Sequence, residues 1–222
     1  MNVLINLWEQ RQISFQEKIF HLNRTFDKQT FRMHVDVEED GFADVTTIMP
    51  EEWIDFPHLA QVDVHLMVND PLGWVKRICV PHVTRAIGQI ERINDVRQWV
   101  SLCNQNGILP GICVDYPTTL KSVKFKLKDF VHCCDSFKIH DPQILVMGYN
   151  AGYEKQNFHE DVVGKIIALR EMFGKNAEII VDGGINADYA QLCCDAGSDG
   201  VAVYSFIWNH FPENYYRLTQ IC

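Results

Sequence analysis

The stretch "RMHVDVEEDG", Arg32 to Gly41, holds a histidine and two carboxylates at alternate positions, His34, Asp36 and Glu38. Met33, Val35 and Val37 fill the positions between them. In a strand, side chains two apart point the same way, so the polar three share one face and the apolar three the other. Such a face is either a solvated edge or the inside of a metal site. "DVHLMV" adds His65, and "VDGG" adds Asp182 ahead of Gly183 and Gly184. Two imidazoles and two carboxylates suit Zn²⁺, Mn²⁺ or Fe²⁺ without choosing among them. A single strand histidine is more often structural than a ligand, and on pattern alone the two readings of the four residues are evenly matched.

The elements that would carry these residues follow from the alternation of short apolar runs with longer amphipathic ones. Strands are predicted at Val3–Trp8, Phe31–Val37, Val62–Met67, Ala86–Glu91, Ile108–Val114, Ile144–Tyr149, Glu178–Asp182 and Gly200–Tyr204. Helical spacing links Phe15, Ile19, Leu22 and Phe26, and recurs in "NDVRQWVSLCNQNG" with Asn94 as N-cap. It recurs again in "TTLKSVKFKLKDFV", "DVVGKIIALREMFG" and "NADYAQLCCDAG", and over about Phe206 to Thr219. The stretch Lys128–Gln143 is long for a connection and is expected to hold an extra strand or turn. Eight strand–helix repeats in 222 residues imply an α/β chain folded as a single domain over residues 1–222. Length favours a closed (β/α)₈ barrel over an open doubly wound sheet. In such a barrel the C-terminal strand ends gather the chemistry, and His34, Asp36, His65 and Asp182 all fall at such ends.

Composition narrows the class of function. The chain is 47% apolar and 22% charged, ordinary globular material, with a net charge of -9. That balance argues against non-specific nucleic-acid binding, which needs a basic footprint. No window reaches the ~18 apolar residues of a membrane span, and the N-terminus carries no leader pattern, so a soluble cytoplasmic protein is expected. The eight cysteines form no CxxC pair and are expected to be reduced thiols.

"HVDVEEDG", "DVHLMV", "LVMGYNAGYEKQNF", "VDGGIN" and "SDGVAVYSFIW" occur in that order. Together they resemble the ribulose-phosphate 3-epimerase family, from about Val3 to Trp208. The resemblance implies a ribulose-phosphate-binding (β/α)₈ TIM barrel and inversion at C3 of a ketose phosphate. It implies one divalent ion held by His34, Asp36, His65 and Asp182, with Asp36 and Asp182 exchanging the C3 proton from opposite faces through an enediolate. Met67 and Met147 match methionines that wall the site. Gly152, Gln156, Gly183, Gly184 and Ser205 match turns that hold phosphate, and Asn6 stands where the family has a serine. A homo-oligomer, dimer or hexamer, is implied as well.

The sequence departs from the family pattern around the substrate. Glu38 replaces a methionine and is expected to turn to solvent; Gln89 replaces a histidine. Glu154 and Lys155 stand for two loop glycines, and Tyr204 for the glycine before Ser205, where it should crowd a phosphate or replace it with an aromatic wall. The expected function is therefore a metal-dependent sugar-phosphate 3-epimerase. Its alternatives are an epimerase of another ketose, such as a hexulose 6-phosphate, or a barrel that binds metal or sugar without turnover.

Overall fold

The computed structural model of the chain describes residues 1–43, 45–153 and 156–221. Eight parallel strands close into a barrel in sequential order: β1 Asn2–Leu7, β2 Phe31–Glu38, β3 Ala60–Met67, β4 Val83–Gln89, β5 Leu109–Val114, β6 Gln143–Met147, β7 Glu178–Asp182 and β8 Gly200–Val203. The strand count and the barrel match expectation. The ends of β1, β4, β6 and β8 do not: Trp8, Glu91, Tyr149 and Tyr204 lie just beyond the ladders, in the turns of the rim.

Alternation decides which residues face inward. On β2, Met33, Val35 and Val37 join the cluster packed under the helices, while His34 and Asp36 face the barrel interior beside His65 and Asp182. The outer layer is α1 Gln12–Thr25, α2 Pro71–Trp74, α3 Val96–Gln105, α4 Leu120–Ser136, α5 Val162–Phe173, α6 Ala187–Asp195, α7 Ser205–Asn209 and α8 Glu213–Thr219. Phe15, Ile19 and Leu22 of α1 are buried at helical spacing, as are Trp99, Val100 and Cys103 of α3. Each such side chain contributes about 1.5–3 kcal/mol on burial. None of the described helices is long and apolar enough to cross a membrane.

Of the strand or turn expected within Lys128–Gln143 the structure has the turn: α4 continues to Ser136, then the chain turns through Lys138 and Asp141, both at positive φ, into β6. Three local readings are corrected. The C-terminal helix is two helices, because Pro212 has no N–H to donate to a preceding turn. Asp95, not Asn94, caps α3, accepting a hydrogen bond from the Gln98 N–H at 2.9 Å. Cys79, Cys103, Cys113, Cys133, Cys134 and Cys193 are free thiols, whereas Cys194 is disulfide-bonded, contrary to the expectation of reduced thiols throughout; Cys222 lies outside the described residues.

The barrel interior is layered. At its N-terminal end Asp63 accepts from Arg32 at 2.6 Å and from Gln143 at 3.2 Å, with the Arg85 guanidinium 3.8 Å away. Glu178 closes this network through Arg32 and through Gln143 at 3.1 Å. Leu4, Ile87, Leu145 and Ile180 form the apolar plug above it. His34, Asp36, His65 and Asp182 sit at the opposite end. Burial alone would raise the Asp63 pKa, but the charges of Arg32 and Arg85 outweigh it and hold the carboxyl below its usual range. Its stabilising contribution is therefore complete above an unfolded-state pKa of about 3.9 and is lost as pH falls through the lower folded value. Asp63→Asn should cost about 3 kcal/mol in urea unfolding at pH 7, because it leaves buried guanidinium charge undercompensated. The penalty should shrink as the pH is lowered below 4. A penalty that stays constant across that range would contradict this account.

Candidate active site

Register brings the polar side chains together. Asn6 on β1 is paired with His34 on β2, Asp36 with His65 on β3, and Met147 on β6 with Asp182 on β7. Interior-facing residues of adjacent strands thus form one ring near the C-terminal mouth. His34 and His65 are fully buried, and Asp36 and Asp182 are nearly so. One ligand atom from each of the four lies within 4.8 Å of all the others.

The contacts within this ring are unequal. His65 Nδ1 is 3.1 Å from Asp36 Oδ1, and its Nε2 is 3.0 Å from Gln89 Nε2. Gln89, which stands where a family histidine was expected, thus braces the far side of the imidazole. His34 Nε2 lies 3.3 Å from Asp36 Oδ1 and 3.8 Å from Asp182 Oδ2. It is out of line for a hydrogen bond, and neither ring nitrogen has such a partner among the described residues. A buried imidazole in that condition is costly unless a further group binds it. Two imidazoles and two carboxylates converging at this spacing suit a divalent cation.

Asn6 ties the carboxylates together. Its amide nitrogen donates to Asp36 Oδ2 at 2.9 Å and reaches Asp182 Oδ1 at 3.4 Å. The two acids nevertheless differ in proton affinity. Burial would raise the Asp36 pKa, but His34 and His65 overcome it and hold the group well below the usual carboxylate range. Asp182 is pushed up to about 6, by burial and then by the negative charge of Asp36. For His34, burial opposes the charged form, yet Asp36, Asp182 and Asp63 together raise its pKa. The nearby Cys113 thiol is driven up by burial and is no nucleophile at neutral pH.

Above the ring a cavity of about 320 Å³ opens to the rim. Its lining includes Asn6, Asp36, Asp182, Met67, Met147, Gly152, Gln156, Gly183, Gly184 and Ser205, together with Tyr204; Glu38 and Gln89 are not among the lining residues. The two methionines are almost fully buried and supply an apolar wall. The glycine turns need their backbone. Gly184 has φ 72°, and a Cβ there would meet the Phe158 nitrogen at 2.7 Å. Gly152 has φ 83°, and a Cβ would meet Ala43 at 2.5 Å and Glu38 Oε1 at 2.8 Å. Gln156 donates to the carbonyls of Asn150 and Tyr153, both at 3.0 Å, and so shapes its own loop. Ser205 is exposed at the start of α7. Glu154 and Lys155 lie outside the described residues.

The structure corrects the reading of Glu38. It does not turn to solvent but is fully buried, and its Oε2 accepts from Trp8 Nε1 at 3.3 Å. Of its acidic neighbours, Glu39 is half-buried and accepts from Trp74 Nε1 at 3.1 Å, and Asp40 is exposed. Trp8, Tyr149, Tyr153 and Ile185 also line the cavity and were not singled out as site residues. The available signal was positional: Trp8 and Tyr149 each follow a strand at the mouth end.

A model of the "Ribulose-phosphate 3 epimerase family" matches residues 13–208. Among curated relatives, the ribulose-phosphate 3-epimerase of Chlamydia trachomatis is 23% identical over 79% of this chain and 74% of its own. That of Bacillus subtilis is 25% identical over 78% and 79%, and that of Synechocystis 27% identical over 80% and 75%. Among solved structures, 3-hexulose-6-phosphate synthase from Salmonella typhimurium superposes with a TM-score of 0.64 at 12% identity, over 100% of this chain and 98% of the other. Orotidine 5'-monophosphate decarboxylase from Sulfolobus solfataricus does so at 0.61 and 13%, over 99% and 95%. These structural likenesses establish the barrel fold. The match of the family model across most of the chain shows that the protein belongs to the ribulose-phosphate 3-epimerase family, a family of carbohydrate epimerases of the isomerase class.

Proposed function

We propose that the protein is a metal-dependent 3-epimerase that inverts C3 of a ketose phosphate of the ribulose 5-phosphate/xylulose 5-phosphate type. The observation that carries this reading is the buried pair Asp36 and Asp182, held by one amide yet unequal in proton affinity. A proton on C3, beside the C2 ketone, is weakly acidic. The ionised carboxylate removes it, the C–H electron pair moves into a C2–C3 double bond, and charge collects on the C2 oxygen. The protonated partner then returns a proton to C3 from the other face, which inverts the centre. Each acid exchanges roles in the reverse direction, so the pair must begin a turnover with one proton between them. Zinc, manganese or ferrous iron held by His34, Asp36, His65 and Asp182 would supply Lewis-acid stabilisation of the charge on that oxygen. Met67 and Met147 keep water from the carbanionic carbon. Gly152, Gly183, Gly184 and Ser205 offer backbone amides to the phosphate, and Gln156 holds the loop that carries Gly152.

A second reading, an epimerase of another ketose or of a longer sugar phosphate, draws support from Tyr204, whose ring borders the cavity. A barrel that binds sugar without turnover is disfavoured by the unequal acid pair, which such a role does not need. Exposed Ile13 and Phe20 on α1 and Phe125 on α4 support the further proposal of a homo-oligomer; sedimentation equilibrium giving the mass of a single chain would count against it.

Incubation in D₂O with ribulose 5-phosphate, xylulose 5-phosphate, allulose 6-phosphate and the free ketoses should show deuterium entering C3 by proton NMR. Asp36→Asn and Asp182→Asn should each slow that exchange by about 10²–10⁴. Absence of exchange with every sugar would sink the epimerase reading. Elemental analysis after dialysis should find one divalent ion per chain in the wild type and strongly reduced content in the double variant His34→Gln/His65→Gln. Full retention of the ion there would remove these histidines from the ligand set.

A further inference from the structure

Three consecutive strands, β8, β1 and β2, carry a connected set of side chains at one side of the mouth. Trp8 follows β1 and Tyr204 follows β8, and both line the cavity, ring edge to ring face with centroids 6.5 Å apart. Neither ring is left to choose its own orientation. The Trp8 indole N–H is held by Glu38 at 3.3 Å. The Tyr204 hydroxyl accepts from Lys18 Nζ at 2.8 Å and donates to Glu9 Oε1 at 3.0 Å, and Lys18 and Glu9 are themselves ion-paired.

This second clamp is not part of the acid–base ring. Lys18 comes from α1, and neither it nor Glu9 borders the cavity. Glu9 is almost fully buried, and burial lowers the Lys18 pKa despite the neighbouring carboxylates. The ammonium also lies 4.4 Å from the centroid of the Tyr204 ring and 5.2 Å from that of Trp208. Partial burial of an ion pair around one phenol is expensive, and as a stability device an apolar substitute would serve as well. What the triad achieves is a tyrosine ring fixed at the rim. On this side of the cavity the lining includes the aromatic residues Trp8 and Tyr204.

We infer that Trp8 and Tyr204 form a specificity-determining wall against which the carbon chain of the ketose beyond C3 packs, and that Lys18 and Glu9 are positioning residues acting through Tyr204. The inference rests on the epimerase reading and adds to it the side of the mouth at which one sugar is told from another. The C–H groups of a sugar chain pack on the electron-rich ring faces, and a ring held from behind loses little freedom on binding.

The test uses the metal-loaded protein and whichever ketose exchanges fastest at C3 in D₂O. Lys18→Met and Tyr204→Phe should each raise KM at least fivefold while kcat changes by less than twofold. The double variant should be no worse than either single one, because both cut the same link. Lys18→Arg, which keeps the cation, should return KM to within twofold of the wild type. An unchanged KM in Lys18→Met, or effects that multiply in the double variant, would overturn the inference while the epimerase reading stands. If the wild type exchanges no ketose proton, that reading fails and takes the inference with it.

Discussion

Two carboxylates buried within a few ångströms of each other repel, and neither can shed its charge into water. The structure around Asp36 and Asp182 is organised by that conflict. Two imidazoles lie against the pair, and one amide donates to both acids. The result is not symmetrical neutralisation. The histidines favour the ionised form of Asp36 strongly, while Asp182, left beside that charge, takes up protons more readily. A site meant only for stability would gain by replacing one acid with an apolar residue. Retaining both is costly to folding and useful to chemistry that must take a proton from one face and return it to the other.

The barrel tolerates this because its charges are segregated. At the N-terminal end, Asp63 and Glu178 face Arg32, Arg85 and Gln143, an arrangement in which opposite charges meet and every acid has a counter-charge. Between the two polar layers lie Leu4, Ile87, Leu145 and Ile180. One end of the interior is a structural ion-pair network and the other a buried cluster of two imidazoles and two carboxylates, and the apolar plug separates them. His34 still feels the charge of Asp63, so the insulation is partial.

Glu38, Tyr204 and Gln89, three positions at which the sequence was expected to depart from the family pattern, are each built into a contact. Glu38 holds Trp8, Tyr204 is held by Lys18 and Glu9, and Gln89 braces His65. Of the three, Tyr204 lines the cavity, as does Trp8, the partner of Glu38.

Much of this was legible from residue order. Alternation on β2 separated His34 and Asp36 from Met33, Val35 and Val37, because a strand has only two faces. The repeat of strand and helix specified eight parallel strands, and strand direction then placed His65 and Asp182 at the same end as His34 and Asp36. What the linear chain did not contain was distance across the barrel. Nothing local to Glu38 distinguishes a solvated turn from a buried acceptor, because its partner Trp8 is thirty residues away, just past the end of β1. Lys18 reads as an ordinary charged position on α1, and only barrel closure, which sets β8 beside β1, brings Tyr204 onto it. The break at Pro212, by contrast, is local backbone chemistry, a missing N–H that the sequence already carried. Sequence determined which residues could do chemistry and at which end of the fold, since strand periodicity and direction are local properties. Tertiary structure decided which of them touch, since closure of the sheet is a property of all eight strands together.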